Sequence, residues 1–172
     1  MQHLKTGDIL LFYPASIMGR ISLFFAGGKY SHAALVSVED GTPFCIEVRE
    51  WIGGRKIILA EYRKAEPAYI DVYRTNSLFT DQANPLKAVA HMKEFIGTKY
   101  GWWHVITAII RRRFGIKLKH KECEKHPPFC SEAIARAFRK AGWDIVPYAW
   151  DRETLPRDLA ESPCLDFIGE LD

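Results

Sequence analysis

From Ile9 to Tyr13 the chain is apolar without a break, framed by a Gly7-Asp8 turn signal and by Pro14, which is the pattern of a short buried strand. Ser16 then stands where it would cap a short apolar helix through Phe25, closed by Gly27-Gly28. Four β-rich runs follow, His32 to Val38, Phe44 to Glu50, Arg55 to Ala60 and Tyr69 to Arg74, with turns expected at Asp40-Gly41 and Gly53-Gly54. They read as an antiparallel meander. After Asn84-Pro85 the apolar period lengthens from two to about 3.6. Leu86, Val89, Ala90, Met92, Phe95 and Ile96 then form one helical face that stops at Gly97. A second helix is expected from about Trp102 to Arg113 and a third from Cys130 to Ala141. With no internal repeat and no long linker, the pattern predicts a single α+β domain over residues 1–172.

Composition narrows this picture only a little. A chain of 172 residues can bury a core without disulfide or metal staples, and 48% hydrophobic with 26% charged residues is ordinary for a globular protein. The net charge of +3 comes without a strong basic stripe, although Arg111-Arg112-Arg113 and Lys117 to Lys121 are locally rich in base. That argues against nucleic acid as a partner and leaves an anionic surface as the alternative. Met1 to Asp8 is polar, and no run reaches the ~18 apolar residues of a membrane span. These features predict a cytoplasmic protein that would reach any outside substrate by a non-classical route. Four cysteines at irregular spacing favour reduced thiols over a disulfide framework.

One of those thiols is placed for reaction. Cys130 follows His126-Pro127-Pro128-Phe129, which cannot continue a helix, and opens the helical run that ends at Gly142. In a first turn, unpaired N–H groups and the positive end of the helix dipole stabilise a thiolate. A thiol nucleophile needs a base, and the base needs a third group to hold its tautomer. Of six histidines, His3 lies in the polar start, His91 in a helix, His104 beside two tryptophans, and His120 and His126 in the basic loop. His32 alone opens a strand, after a Gly-Gly loop and before small residues, where an imidazole is held rigidly. It reads equally as a strand-end histidine satisfied by backbone or water.

Register offers a third member. If Asp40-Gly41 makes a two-residue type I′ turn, Glu39 pairs with Thr42, His32 lies opposite Arg49 and Ala34 opposite Glu47. His32 and Glu47 then become diagonal neighbours on one face, and Glu50 points the other way. A slip of one residue would reverse this, leaving Glu47 a solvated carboxylate. Asp71, on a later strand, is the reserve.

Taken together, Lys5 to Phe12, Gly28 to Val36, Cys45-Ile46-Glu47-Val48 and Phe129-Cys130-Ser131-Glu132 resemble the YiiX/YaeF-like branch of the NlpC superfamily. These are circularly permuted papain-like cysteine hydrolases. The resemblance spans most of the chain and implies an antiparallel sheet packed against helices, with the histidine strand ahead of the cysteine helix. It further implies Cys130 as nucleophile, His32 as general base and then acid, and Glu47 as the group orienting His32, with no metal or organic cofactor. The activity it implies is that of a cysteine peptidase or amidase working through an acyl-enzyme, on substrates such as cell-wall stem peptides.

Other readings compete. His120, Cys123, His126 and Cys130 offer four zinc ligands in eleven residues, although the spacing is unlike common paired-cysteine sites and lysines crowd it. The Trp102 to Arg113 segment suits an interfacial helix touching a membrane, or a core helix whose basic end complements its dipole. The lipid-acting, lecithin:retinol acyltransferase-like relatives of the family make an acyltransferase or thioesterase the second enzymatic alternative. A binding module that keeps the fold without the activity is the third. Tyr30, Tyr100 and Trp102 are candidate walls of a substrate cleft, or simply aromatic packing.

Overall fold

The computed structural model describes residues 4–14, 27–76, 84–115 and 126–171. In these segments six strands, β1 (Ile9–Phe12), β2 (His32–Glu39), β3 (Thr42–Arg49), β4 (Gly53–Ile58), β5 (Ile70–Thr75) and β6 (Leu165–Glu170), form one antiparallel sheet in the order β4-β3-β2-β1-β5-β6. Apolar β1 is therefore central, flanked by β2 and β5, which is why all four of its residues are buried. The helices are α1 (Leu59–Ala65), α2 (Pro85–Lys93), α3 (Trp102–Phe114), α4 (Cys130–Lys140) and the short α5 (Pro156–Ala160).

Period-two alternation divides the sheet into two faces. Ile9, Leu11, Ala33, Leu35, Ile46 and Val48 share one core with the apolar sides of α2 and α4, including Val89, Met92, Ala133, Ile134 and Phe138. The opposite face carries Leu10, Phe12, Ala34, Val36, Cys45 and Val72 and is covered by Leu59 and Tyr62 of α1. A third small cluster, Ala108, Phe129, Cys130 and Leu155 with Val105 and Ile109 against it, joins α3 to the start of α4.

The β2–β3 hairpin turns as its sequence predicts. Asp40 and Gly41 both hold positive φ, 48° and 77°, and Glu39 pairs with Thr42, with the register continuing through Leu35 opposite Ile46. The next turn differs from expectation: it lies at Glu50 to Ile52, and Gly53-Gly54 opens β4 instead. Both glycines sit where the backbone of 95–98 passes. A Cβ at Gly54 would stand 1.8 Å from the Phe95 carbonyl oxygen and one at Gly53 2.1 Å from that of Thr98. Gly54 N–H donates to Thr98 O at 2.8 Å, and Gly97 N–H to Gly54 O at 2.9 Å. Leu59 and Ala60, read as strand, begin α1, and β6 returns from the C-terminal region to the sheet edge beside β5. The helix expected from Ser16 to Phe25 falls outside the described residues. No helix among the described residues is long and apolar enough to cross a membrane.

Candidate active site

His32 and Glu47 lie on the sheet face that also carries Ala34 and Cys45, as the hairpin register requires. His32 Nε2 donates to Glu47 Oε2 at 2.5 Å. Arg55 Nε, from the position directly opposite Glu47 on β4, donates to Glu47 Oε1 at 2.7 Å. Glu47 is 0% exposed, so its charge persists only because both oxygens are paired. Burial alone would raise its carboxyl, but the charges of His32 and Arg55 hold it below the usual carboxylate range.

The remaining His32 nitrogen, Nδ1, is buried and has no hydrogen-bond partner among the described residues. Cys130 acts on the same imidazole through a side-chain hydrogen bond and through charge. Burial pulls His32 towards neutrality, yet Glu47 on one side and Cys130 on the other raise it to about 10. The imidazole thus favours its cationic form beside the Glu47 carboxylate. Its Phe12 neighbour, with ring centroids 5.4 Å apart, closes one side of the ring from solvent.

Cys130 is the first residue of α4 and is 3% exposed. The N–H groups of this first turn have no intrahelical acceptor, so Cys130 and Ser131 bring donors as well as the positive end of the dipole. The helix start is locked by Glu132, fully buried, whose Oε2 accepts from the Phe129 N–H at 3.2 Å. Its carboxylate also pairs with Arg136 at 2.6 Å and with His104 Nδ1 at 2.9 Å. Ser131 Oγ donates to Thr154 O at 2.7 Å, tying the next residue to the 3₁₀ turn at Asp151–Glu153. Ahead of Cys130, Gly101 N–H donates to Pro128 O at 3.0 Å, an approach only glycine allows because a Cβ would stand 2.3 Å from Pro127 O.

The other described thiols are placed differently. Cys45 is buried in the apolar face beneath α1, where desolvation pushes its thiol up, and Cys164 packs in the main core with its sulfur 3.8 Å from Asp144 O. Tyr100 packs against the cluster containing Cys130, and burial followed by the charge at Cys130 keeps its phenol protonated. Its ring meets Trp102 with centroids 4.9 Å apart. Tyr30 stands elsewhere, with Asp71. That buried carboxylate takes Lys29 Nζ at 3.2 Å, Tyr13 Oη at 3.2 Å and the Tyr30 hydroxyl, and it does not meet His32. Asp71 therefore ties down the loop ahead of His32 and is not the imidazole's partner.

Arg55 and Glu132 were missed in the sequence. Arg55 was detectable in principle, since a hairpin turn at Glu50 to Ile52 places it opposite Glu47, but the Gly-Gly pair drew the turn too late. Of the four zinc-ligand candidates, His120 and Cys123 lie outside the described residues, and His126 packs its ring against His104 at 5.7 Å.

No protein-family model matches the chain, and no curated protein matches it. Its fold is an α+β one with a six-stranded antiparallel sheet, and that fold is shared with a solved structure. The neighbour is the crystal structure of metalloprotein YiiX from Escherichia coli O157:H7, of the DUF1105 group, with a TM-score of 0.57 and 14% identity over 97% of each chain. Among the described residues around Cys130, the carboxylates are already committed to other partners. Glu47 is taken by His32 and Arg55, Glu132 by His104, Arg136 and a backbone N–H, and each arginine would oppose a cation. Among the described residues no three or more His, Cys, Asp or Glu side chains are grouped to hold a metal.

The charged pair has a consequence for stability. His32, raised from 6.5 to about 10, contributes fully below pH 6.5 and loses its contribution as pH climbs towards 10. Glu47, lowered from 4.5, contributes above pH 4.5 and loses it as pH falls. Urea titrations should therefore show greatest stability near pH 5–6 and a decline by pH 9 that is absent in a His32→Phe variant. An equal decline in that variant would place the effect elsewhere.

Proposed function

We propose that the chain is a permuted papain-like cysteine hydrolase in which Cys130 is the nucleophile, His32 the general acid and base, and Glu47 the residue that orients His32. The observation that carries this reading is the division of the imidazole: Nε2 is committed to Glu47 at 2.5 Å, Nδ1 is buried and left without a hydrogen-bond partner, and Cys130 at a helix start acts on the same ring. Holding one nitrogen fixes which one can carry a proton to and from the substrate. Arg55 and Glu132 hold the carboxylate and the helix in place.

The reaction follows from these atoms. The Cys130 thiolate attacks an acyl carbonyl carbon, and the carbonyl electron pair moves to oxygen, where N–H groups of the first helical turn meet it. As the carbon–nitrogen or carbon–oxygen bond breaks, Nδ1–H of His32 protonates the leaving group, giving a thioester on Cys130. Neutral Nδ1 then takes a proton from water as the water attacks the thioester, and the thiolate departs with the acid product formed.

The proposed substrate is the amide of a peptide such as a cell-wall stem peptide, following the sequence resemblance. A lipid ester or thioester is the second reading, favoured by the exposed aromatic residues Trp51, Trp102 and Trp103. Incubation with peptidoglycan fragments and, separately, with long-chain acyl esters, with products read by mass spectrometry, decides between them. Cleavage of stem peptides alone supports the amidase; cleavage of the esters alone sinks it in favour of the lipid reading.

A further inference from the structure

Helix α3 is apolar on two sides. Ala108, Val105 and Ile109 face Phe129, Cys130 and Leu155, which accounts for one side. The other exposes Trp103 (63%), Ile106 and Phe114 (69%) to solvent. The β3–β4 turn extends this surface with Ile52 and with Trp51, which is 85% exposed and stacks on Trp102 with ring centroids 4.8 Å apart. Trp51 also holds φ at 67°, a left-handed conformation that a side chain with a Cβ rarely adopts. Among the described residues the ring contact of this indole is with Trp102, so most of its surface is left to water.

Charge distinguishes what could cover this surface. From Lys99 to Phe114 the sequence holds four Lys and Arg and no Asp or Glu. Two copies meeting through this helix would bring two segments of like net charge together. Tryptophan and phenylalanine beside basic residues are instead the combination that inserts at an anionic bilayer, with rings at the headgroup level and base on the phosphates.

We propose that the outer face of α3 and the Trp51 turn dock on an anionic phospholipid surface. The aromatic contacts run from Trp51 to Trp102, then Tyr100, then the cluster holding Cys130, so docking sets the thiol beside the lipid–water boundary. Docking stands independently of the hydrolase reading.

Flotation of the full chain with vesicles of phosphatidylglycerol and phosphatidylcholine, and with phosphatidylcholine alone, tests it. The protein should float with the anionic vesicles, bind the neutral ones at least tenfold more weakly, and lose binding as salt is raised. A Trp103→Glu/Phe114→Glu variant should lose at least tenfold in binding. Trp51→Gly, which relieves the backbone, should bind more weakly while melting no lower than the parent. Cys130→Ala should float like the parent, which keeps this test separate from catalysis. Absence of flotation with anionic vesicles overturns the proposal, as does equal binding by the double variant. So does a dimer in light scattering that the double variant dissolves without any vesicle binding.

Discussion

Replacing Glu47 with Ala should cost about 3–5 kcal/mol of stability and lower turnover by about 10²–10⁴-fold. The reason is the number of groups that meet on one buried carboxylate. Without it, the His32 cation and the Arg55 guanidinium, now paired at 2.5 and 2.7 Å, face each other with no acceptor between them. Glu47→Gln separates the two effects: it keeps the volume and an acceptor, so the loss of stability should be smaller, whereas His32 loses the charge that raises it. Urea denaturation gives the first quantity and kcat/KM the second. The pH profile of Cys130 alkylation should move in Glu47→Gln, because the imidazolium opposite the sulfur then persists over a narrower range. An Ala variant within about 0.5 kcal/mol of the parent would mean that this ion pair is not part of the framework.

Cys130→Ala should reduce hydrolysis to background while changing stability by only about 1 kcal/mol. The side chain is small, and the positions of α4 and Glu132 do not depend on the sulfur. Cys45→Ala and Cys164→Ala should leave turnover unchanged, since those thiols sit in apolar packing away from an imidazole. This contrast also addresses the reading of the chain as a binding module without activity. If the parent and Cys130→Ala turn over every acyl substrate equally slowly, the arrangement is a retained scaffold.

How far the sequence could be read depended on whether local chemistry or distant packing decided each element. The β2–β3 hairpin was legible because Asp40-Gly41 accepts positive φ at both positions, and that turn alone sets the register that brings Glu47 to His32. The start of α4 was legible because Pro127-Pro128 forbids helix and the following residues have one apolar face. Helix α1 was not: its seven residues follow β4 without a break, and Leu59 and Tyr62 become helical in order to cover the second face of the sheet. Strand β6 was hidden because its burial does not alternate, with Asp166 and Phe167 both exposed, and by a register shift between Val72 and Tyr73.

Gly53-Gly54 misled for a physical reason. Glycine pairs mark turns because they tolerate positive φ, but here they also leave room for the 95–98 backbone, and the turn falls on Trp51. Buried charge was the other blind spot. Arg55 and Glu132 read as surface residues in sequence, and only the assembled fold shows each paired where solvent is excluded. Asp71, the reserve candidate behind Glu47, is held elsewhere, by Lys29, Tyr13 and Tyr30. Its face of the sheet is the one against α2 and α4, together with Tyr73 and Leu11.

The measurement closest to the central claim is covalent. The parent protein, mixed with an amide or ester substrate and quenched in acid within the first turnover, should carry one acyl group by intact mass, located by peptide mapping on Cys130. In His32→Ala the adduct should form at least about 10²-fold more slowly. Substrate turnover with no acylated protein at any quench time, or an acyl group on Cys45 or Cys164 in place of Cys130, would contradict the account.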